Sequence, residues 1–377
     1  MLAVTHVLVD TFACLVQPLW PALGAKFQGG QSTELYLYAL WTLAGSFSQL
    51  MFGYFGDRYH WRWLIWVGPL VSITCMSCMG LAGSAWGAAG LLLLGGLGTA
   101  AFHPESATAA GECAPLQRSR ALSIFYIGGY LGQAAGPYYG GWMADTFTLP
   151  GITRGIPWGL AGLALLSLLL FRRLPAAAVR RTQPVPLGQI LRGKYAAMAL
   201  IQAIGTLRLL VAMGVPLALA YLLQARDATK TETGLSQSML LAGVGAGAVL
   251  CALAVGRRHE RLALWLPPLG VAPLVAILPY LSGANLLLTT FAAGLMLGIA
   301  IPVLASYGQQ LLPNGQRIAS SWTMGVSWGL GGTLAAAMLH GFNHFGHLNE
   351  CFLAFAAAAA LSSLGCFALP KLDSPAL

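Results

Sequence analysis

The clearest ionisable side chains inside apolar runs of this chain are His6, Asp10, His103, Glu105 and Arg208. A bilayer penalises each of them, so an ionisable group within a spanning segment marks a proton relay, a counter-ion or a ligand for charged cargo by default. His6, Asp10 and Gln17 are separated by four and seven residues, which stacks them on one helical face. In "AAFHPESATA" (100–109), His103 and Glu105 are two positions apart and point to nearly opposite sides of a regular helix. Pro104 loosens the turn before it. Asp10, Glu105, His103 and His6 are therefore the proton-coupling candidates. Arg208 and Gln17 are substrate-binding candidates, together with Tyr126, Tyr130, Trp322 and Trp328, whose two spans are repeat-related. Asp10 corresponds to Arg208 across an internal repeat, so the two are expected to form an ion pair across a central cavity or to divide proton and anionic substrate between them.

Other chemistry finds little support. Cys75 and Cys78 have a CxxC spacing, but they sit within an apolar run and read as small packing residues. His340, His344 and His347 fall at helical spacing near glycines that suggest a helix end, with no Cys or Asp beside them, so no metal site is expected there. There is no HExxH, nucleophile elbow or zinc-ligand set, which argues against an enzyme, and no cofactor is expected.

The elements that must position these residues follow from composition. Of 377 residues, 57% are hydrophobic and 8% charged, far from soluble usage. Runs able to cross a ~30 Å hydrocarbon core are expected at 3–24, 33–55, 63–83, 86–111, 119–144, 156–171, 195–224, 234–255, 262–282, 286–312, 317–341 and 348–369. The first has no basic start and reads as a span, not a cleaved leader. The net charge of +9 suggests nucleic acid only until the basic residues are placed. Alternate connections and the C-terminal tail hold Arg58, Arg62, Arg118, Arg120, Arg172, Arg173, Arg180, Arg181, Arg192, Lys194, Arg257, Arg258, Arg261, Arg317 and Lys371, and the others hold only Lys26, Arg154, Arg226 and Lys230. That bias puts both termini in the cytoplasm, makes the bilayer the partner and leaves nucleic acid without a role.

The polar stretch "RRLPAAAVRRTQPVPLGQILRGK" divides the chain into an N-terminal bundle (1–171), a cytoplasmic linker (172–194) and a C-terminal bundle (195–377). Sliding one half on the other brings Pro18 onto Pro216, Pro104 onto Pro302, and "RALSIFYIGGYLG" (120–132) onto "RIASSWTMGVSWG" (317–329). The expected architecture is all-α, with twelve transmembrane helices in two pseudo-symmetric six-helix bundles.

Two motifs bear on transport. "GYFGDRYHWR" (53–62) offers Gly53, Asp57, Arg58 and Arg62, which with Arg118 and Arg120 would latch the cytoplasmic side. "GQAAGPYYGG" (132–141) sets Gly132, Gly136, Pro137, Gly140 and Gly141 on one helix, allowing close packing and a bend. The first pattern resembles the loop between spans two and three of major facilitator proteins. The second resembles the antiporter motif of their drug exporters, with Ser123 where that motif has its upstream glycine.

The segments "THVLVDTFACLVQPLWPAL", "AAFHPESATAA", "SIFYIGGYLGQAAGP", "GVAPLVAILPY" and "YGQQLLPNGQRIASSWTMGVSWGLGG" together resemble the fosmidomycin resistance protein family of the major facilitator superfamily, over nearly the whole chain. The resemblance implies a twelve-helix inner-membrane exporter driven by proton antiport, acting as a monomer on a small phosphonate. It points to His6, Asp10, His103, Glu105, Ser106 and Arg208. Gln310 stands where the family pattern has an acid, and "GRRHE" at 256 lacks the Asp of a full loop motif. Other readings are an importer or facilitator of an organic anion or metal chelate, and a membrane-embedded enzyme using His103 and Glu105.

Overall fold

The computed structural model describes residues 1–27, 30–59, 61–113, 118–170, 187–255, 259–312, 319 and 321–370, without the side chains at 30, 31, 57–59, 118–120, 170, 187, 321 and 324. Every regular element among them is helical. In order these are α1 (Leu2–Cys14), α2 (Trp20–Lys26), α3 (Gly30–Tyr59), α4 (Leu64–Ser77), α5 (Ala85–Cys113), α6 (Arg118–Phe147), α7 (Gly155–Leu170), the short α8 (Leu187–Leu191), α9 (Tyr195–Gln224), α10 (Lys230–Ala254), α11 (Glu260–Ile277), α12 (Gly283–Leu311), α13 (Ser327–His344) and α14 (Leu348–Gly365).

The expected span at 3–24 is present at Leu2–Lys26, but its helix is interrupted. Pro18 has no N–H to donate, so the chain leaves α1, passes through a 3-10 turn at Gln17–Leu19 and resumes as α2. Among the described residues, nine helices or joined helices are long and apolar enough to cross a membrane. The expected spans at 33–55, 119–144 and 317–341 fall outside that set. They correspond to α3, α6 and the region of α13, which carry Ser46, Ser48 and Gln49, a run of glycines, and a π turn at Ser321–Val326. These helices face other helices as well as lipid, so they can be less apolar and still span.

Packing explains that composition. α6 lies along α1 and α10, and α3 lies along α5 and α13. The two most extensive contacts between the first and second halves of the chain are thus α6 on α10 and α3 on α13. A Cβ added at Gly128, Gly132, Gly136 or Gly140 of α6 would sit 2.2, 2.4, 2.7 or 1.8 Å from the carbonyl oxygens of Ala3, Val7, Thr11 and Leu15. One face of α6 is therefore in backbone contact with α1. The antiporter-like motif does its packing here, while Gly141 lies against the Lys230 carbonyl and the Pro137 carbonyl against Gly234, both on α10.

Connections at 27, 148–154, 225–229 and 281–282 share one end of the bundle, called here the Asp145 end. The opposite end holds Arg62, Glu112 and Lys194.

Candidate functional site

Close contact between α1 and α6, and the packing of α5 beside them, brings His6, Asp10, His103 and Gln133 together. His6 and Asp10 follow one another by one helical turn and are both buried. Asp10 Oδ2 lies 3.3 Å from His6 Nε2, and Oδ1 lies 3.3 Å from His103 Nε2. Gln133 Nε2 donates to Oδ2 at 3.0 Å. The two imidazoles meet edge to face with centroids 4.9 Å apart, and His6 stacks on Phe125 at 4.2 Å.

The hydrogen bonds on the far side of each ring fix the chemistry. His6 Nδ1 is 2.9 Å from the Phe125 carbonyl oxygen, and His103 Nδ1 is 2.7 Å from that of Thr99. A carbonyl only accepts, so both Nδ1 atoms carry hydrogen. If both rings were neutral, both Nε2 atoms would turn lone pairs toward an acceptor-only carboxylate. That arrangement is repulsive, and it is relieved when a positive charge occupies the space between them. His6 Nε2 is buried without a hydrogen-bond partner, although Asp10 Oδ2 lies 3.3 Å from it. Protons on Nε2 meet this requirement. A divalent cation also would, since the three donor atoms lie within 4.8 Å of one another.

The remaining expectations divide. His103 and Glu105 do part company: His103 turns to Asp10, whereas the Glu105 carboxyl lies over Gly56 of α3, where a Cβ would meet Oε1 at 2.3 Å. The expected ion pair between Asp10 and Arg208 does not form. Arg208 is buried and donates to the Ala300 carbonyl at 2.8 Å, to the Leu264 carbonyl, and to Cys366 Sγ at 3.2 Å. The cause is visible in the sequence: Pro268 has no N–H for the Leu264 carbonyl, so α11 leaves an acceptor that the guanidinium satisfies. Arg208 Nε has no hydrogen-bond partner, and the residue lines a void of about 10 Å³ with Gly205 and Thr323.

Gln17 is buried, and its carbonyl accepts from Gln237 Nε2 at 3.3 Å. Tyr130 packs against Gly245 of α10, and Tyr126 is half exposed. Trp322 and Trp328 pack against apolar clusters. In the expected latch, Arg62 pairs with Glu112 at the end of α5, and Gly53 packs loosely near Pro104. The side chains of Asp57, Arg58, Arg118 and Arg120 lie outside the described residues. His340 and His344 have ring centroids 6.1 Å apart, and His347 contacts Glu350 at 3.2 Å.

Several polar residues that spacing did not single out join the halves at the Asp145 end. Asp145 accepts from the Thr231 backbone N–H at 2.8 Å and hydroxyl at 2.7 Å, and from Lys230 Nζ at 3.4 Å. Burial pushes its carboxyl up, but the Thr231 bonds and the Lys230 charge outweigh this and hold it below the usual carboxylate range. Gln237 also donates to the Pro216 carbonyl at 2.7 Å, and the Tyr38 hydroxyl donates to that of Met213 at 3.1 Å. The Tyr221 hydroxyl donates to Glu34. A lone acid in "QSTE" at the edge of an apolar run was the available signal for Glu34.

The Major Facilitator Superfamily profile matches residues 2–336. The chain is 28% identical to the fosmidomycin resistance protein of Escherichia coli strain K12, over 90% of this chain and 84% of that protein. It is 24% identical to the uncharacterized MFS-type transporter YfnC of Bacillus subtilis strain 168, with the same shares covered. Among solved structures, a D-xylose-proton symporter superposes with a TM-score of 0.77 at 14% identity, covering 98% of this chain and 97% of the other. A bacterial homologue of the human lysosomal transporter Spinster, inward-facing and occupied, gives 0.75 at 13%, covering 100% and 97%.

Proposed function

The chain belongs to the major facilitator superfamily of transporters, and we propose from that premise that it is a proton-coupled antiporter that exports a small anionic or amphipathic compound. The observation that carries the proton claim is the buried His6, Asp10 and His103 cluster, whose Nε2 atoms face one carboxylate and call for a shared positive charge. Gain or loss of protons there changes the charge between α1 and α5. The change reaches the interface between the halves along α1, because Gln17 lies seven residues beyond Asp10, about 10 Å of helical rise, and its carbonyl is held by Gln237.

Cargo chemistry is supported by two features. The name of the Escherichia coli relative points to resistance to a phosphonate drug. Arg208 supplies a buried positive charge held by carbonyl oxygens, with no carboxylate within ion-pair distance among the described residues. The protein works as a monomer in a bacterial inner membrane, its halves at 1–171 and 195–377. Its termini and its Arg62 end face the cytoplasm, as the distribution of Lys and Arg supports. Alternating access then rocks the halves about the α6–α10 and α3–α13 contacts.

The test is proton movement in proteoliposomes carrying a trapped pH-sensitive dye and no imposed gradient. Antiport predicts that fosmidomycin added outside inside-out vesicles drives protons out of the lumen. Protons that travel with the drug would make the protein a symporter, and drug flux without any proton signal would make it a facilitator.

A further inference from the structure

Two acids bridge the halves at the Asp145 end, and they differ in surroundings. Asp145 is near the surface and well supplied with donors. Glu34, at the start of α3, is 3% exposed. Its Oε1 accepts the Tyr221 hydroxyl from α9, while Oε2 makes no hydrogen bond and lies against Gly24 of α2, where a Cβ would sit 1.8 Å from it.

No cation among the described residues comes within ion-pair distance of Glu34. Lys26 Nζ on α2 is turned to the Gly80 carbonyl at 2.6 Å, and the Arg226 guanidinium caps the carbonyls of Pro279 and Leu281. α13 runs antiparallel to α3, with Gly332 on Thr42 and Gly329 on Ser46, so its register carries His340 to the level of Glu34. His340 Nδ1 is buried without a partner, and His344 lies one turn beyond. Tyr38, one turn along α3, is occupied by the Met213 carbonyl.

A buried carboxylate with one phenol donor and no cation is unfavourable when ionised, and the penalty vanishes when the acid holds a proton. Parting the halves takes Glu34 away from Tyr221 and into water, where ionisation is free. We propose that Glu34 is a second proton-binding site, at which a bound proton locks the halves together at the Asp145 end and release of that proton to the solvent there accompanies opening.

The linkage has a definite sign: acid in the compartment facing the Asp145 end favours the closed arrangement. Asp145 acts in the opposite sense and at lower pH, since acidification removes its hold on Lys230 and Thr231. Protonated His340 or His344 would favour ionised Glu34, and so would also oppose the effect. The proposal rests on the transporter reading but not on the role of Asp10, so the two can fail separately.

The test is a distance measurement in lipid nanodiscs between labels at Ser84 and Ala284. These exposed positions lie at this end, one in each half, and native Cys75, Cys78 and Cys113 are replaced. In the wild type, the ratio of open to closed forms should rise at least about fivefold from pH 5 to pH 8. Glu34→Gln, which mimics the protonated acid, should stay closed at both pH values. Tyr221→Phe should open the seam about fivefold at pH 6 while keeping the pH response, and Asp10→Asn and His340→Gln should keep it as well. A wild-type pH response in Glu34→Gln overturns the proposal, as does a response abolished by Asp10→Asn or His340→Gln alone. An unchanged seam in Tyr221→Phe overturns it independently, should Glu34→Gln not fold.

Discussion

Replacing Gly132 with Ala tests whether the α1–α6 spacing sets the proton site. The added Cβ would lie 2.4 Å from the Val7 carbonyl oxygen and 2.9 Å from Asp10 Cβ, where ordinary contact begins at 3.4 Å. Neither neighbour is the end of a flexible chain, and close-packed interiors do not absorb such a clash locally. The helices must separate by about 1 Å, at an overpacking cost of about 1–3 kcal/mol. The bond from Gln133 to Asp10, now 3.0 Å, then stretches to about 4 Å, past the range of a hydrogen bond. The assay compares gradient-driven transport with gradient-free exchange in proteoliposomes at matched protein content. Gly132→Ala should keep exchange and lose at least about tenfold of the stimulation by a pH gradient, equivalent to about 1.4 kcal/mol. Gly90→Ala on α5, where a Cβ meets nothing within 4 Å, should behave as wild type. If Gly132→Ala kept full stimulation, the spacing would be irrelevant to coupling.

Three further outcomes follow from the geometry. Asp145→Asn should loosen the Asp145 end about two- to fivefold at pH 7, as expected for a charge worth about 0.3–1 kcal/mol at a helix N-terminus. Because the Asp145 carboxyl lies below the usual range, its contribution is complete above that range and disappears as pH falls through the lowered value, so variant and wild type should converge in label distance in strong acid. Thr229→Ala removes the capping box with Glu232 at the start of α10 and should cost about 1 kcal/mol in thermal or denaturant unfolding. Arg208→Met should destabilise the fold by about 1–3 kcal/mol, by removing the charged donor to the Leu264 and Ala300 carbonyls and leaving Leu264 only the weak Cys366 thiol, and should weaken binding of an anionic cargo in equilibrium titration. Arg208→Lys should restore the binding and only part of the stability.

Hydropathy and the run of basic connections made the helices legible, because a spanning segment needs only length and apolarity. What they could not convey was the interruption at Pro18 or the lower apolarity of helices that face one another. His6, Asp10 and His103 stood out because each is costly in lipid; they converge because α5 packs beside α1, and the glycines of α6 bring Gln133 to the same carboxylate. Gln133 was hidden inside the glycine motif, since a neutral amide carries no alarm until a carboxylate is found opposite. The Asp10–Arg208 pairing failed for a local reason: the repeat register put them at equivalent depth, but Pro268 created a nearer acceptor for the guanidinium. Glu34 and Tyr221 are 187 residues apart, and nothing short of the fold places one beside the other.

Whether protons on the Asp10 cluster drive transport is decided by drug flux through Asp10→Asn and wild-type protein in proteoliposomes, with and without an imposed pH gradient. The gradient should accelerate the wild type and not the variant, while both exchange drug at equal pH. An Asp10→Asn protein that answers the gradient as the wild type does would contradict a coupling role for the cluster.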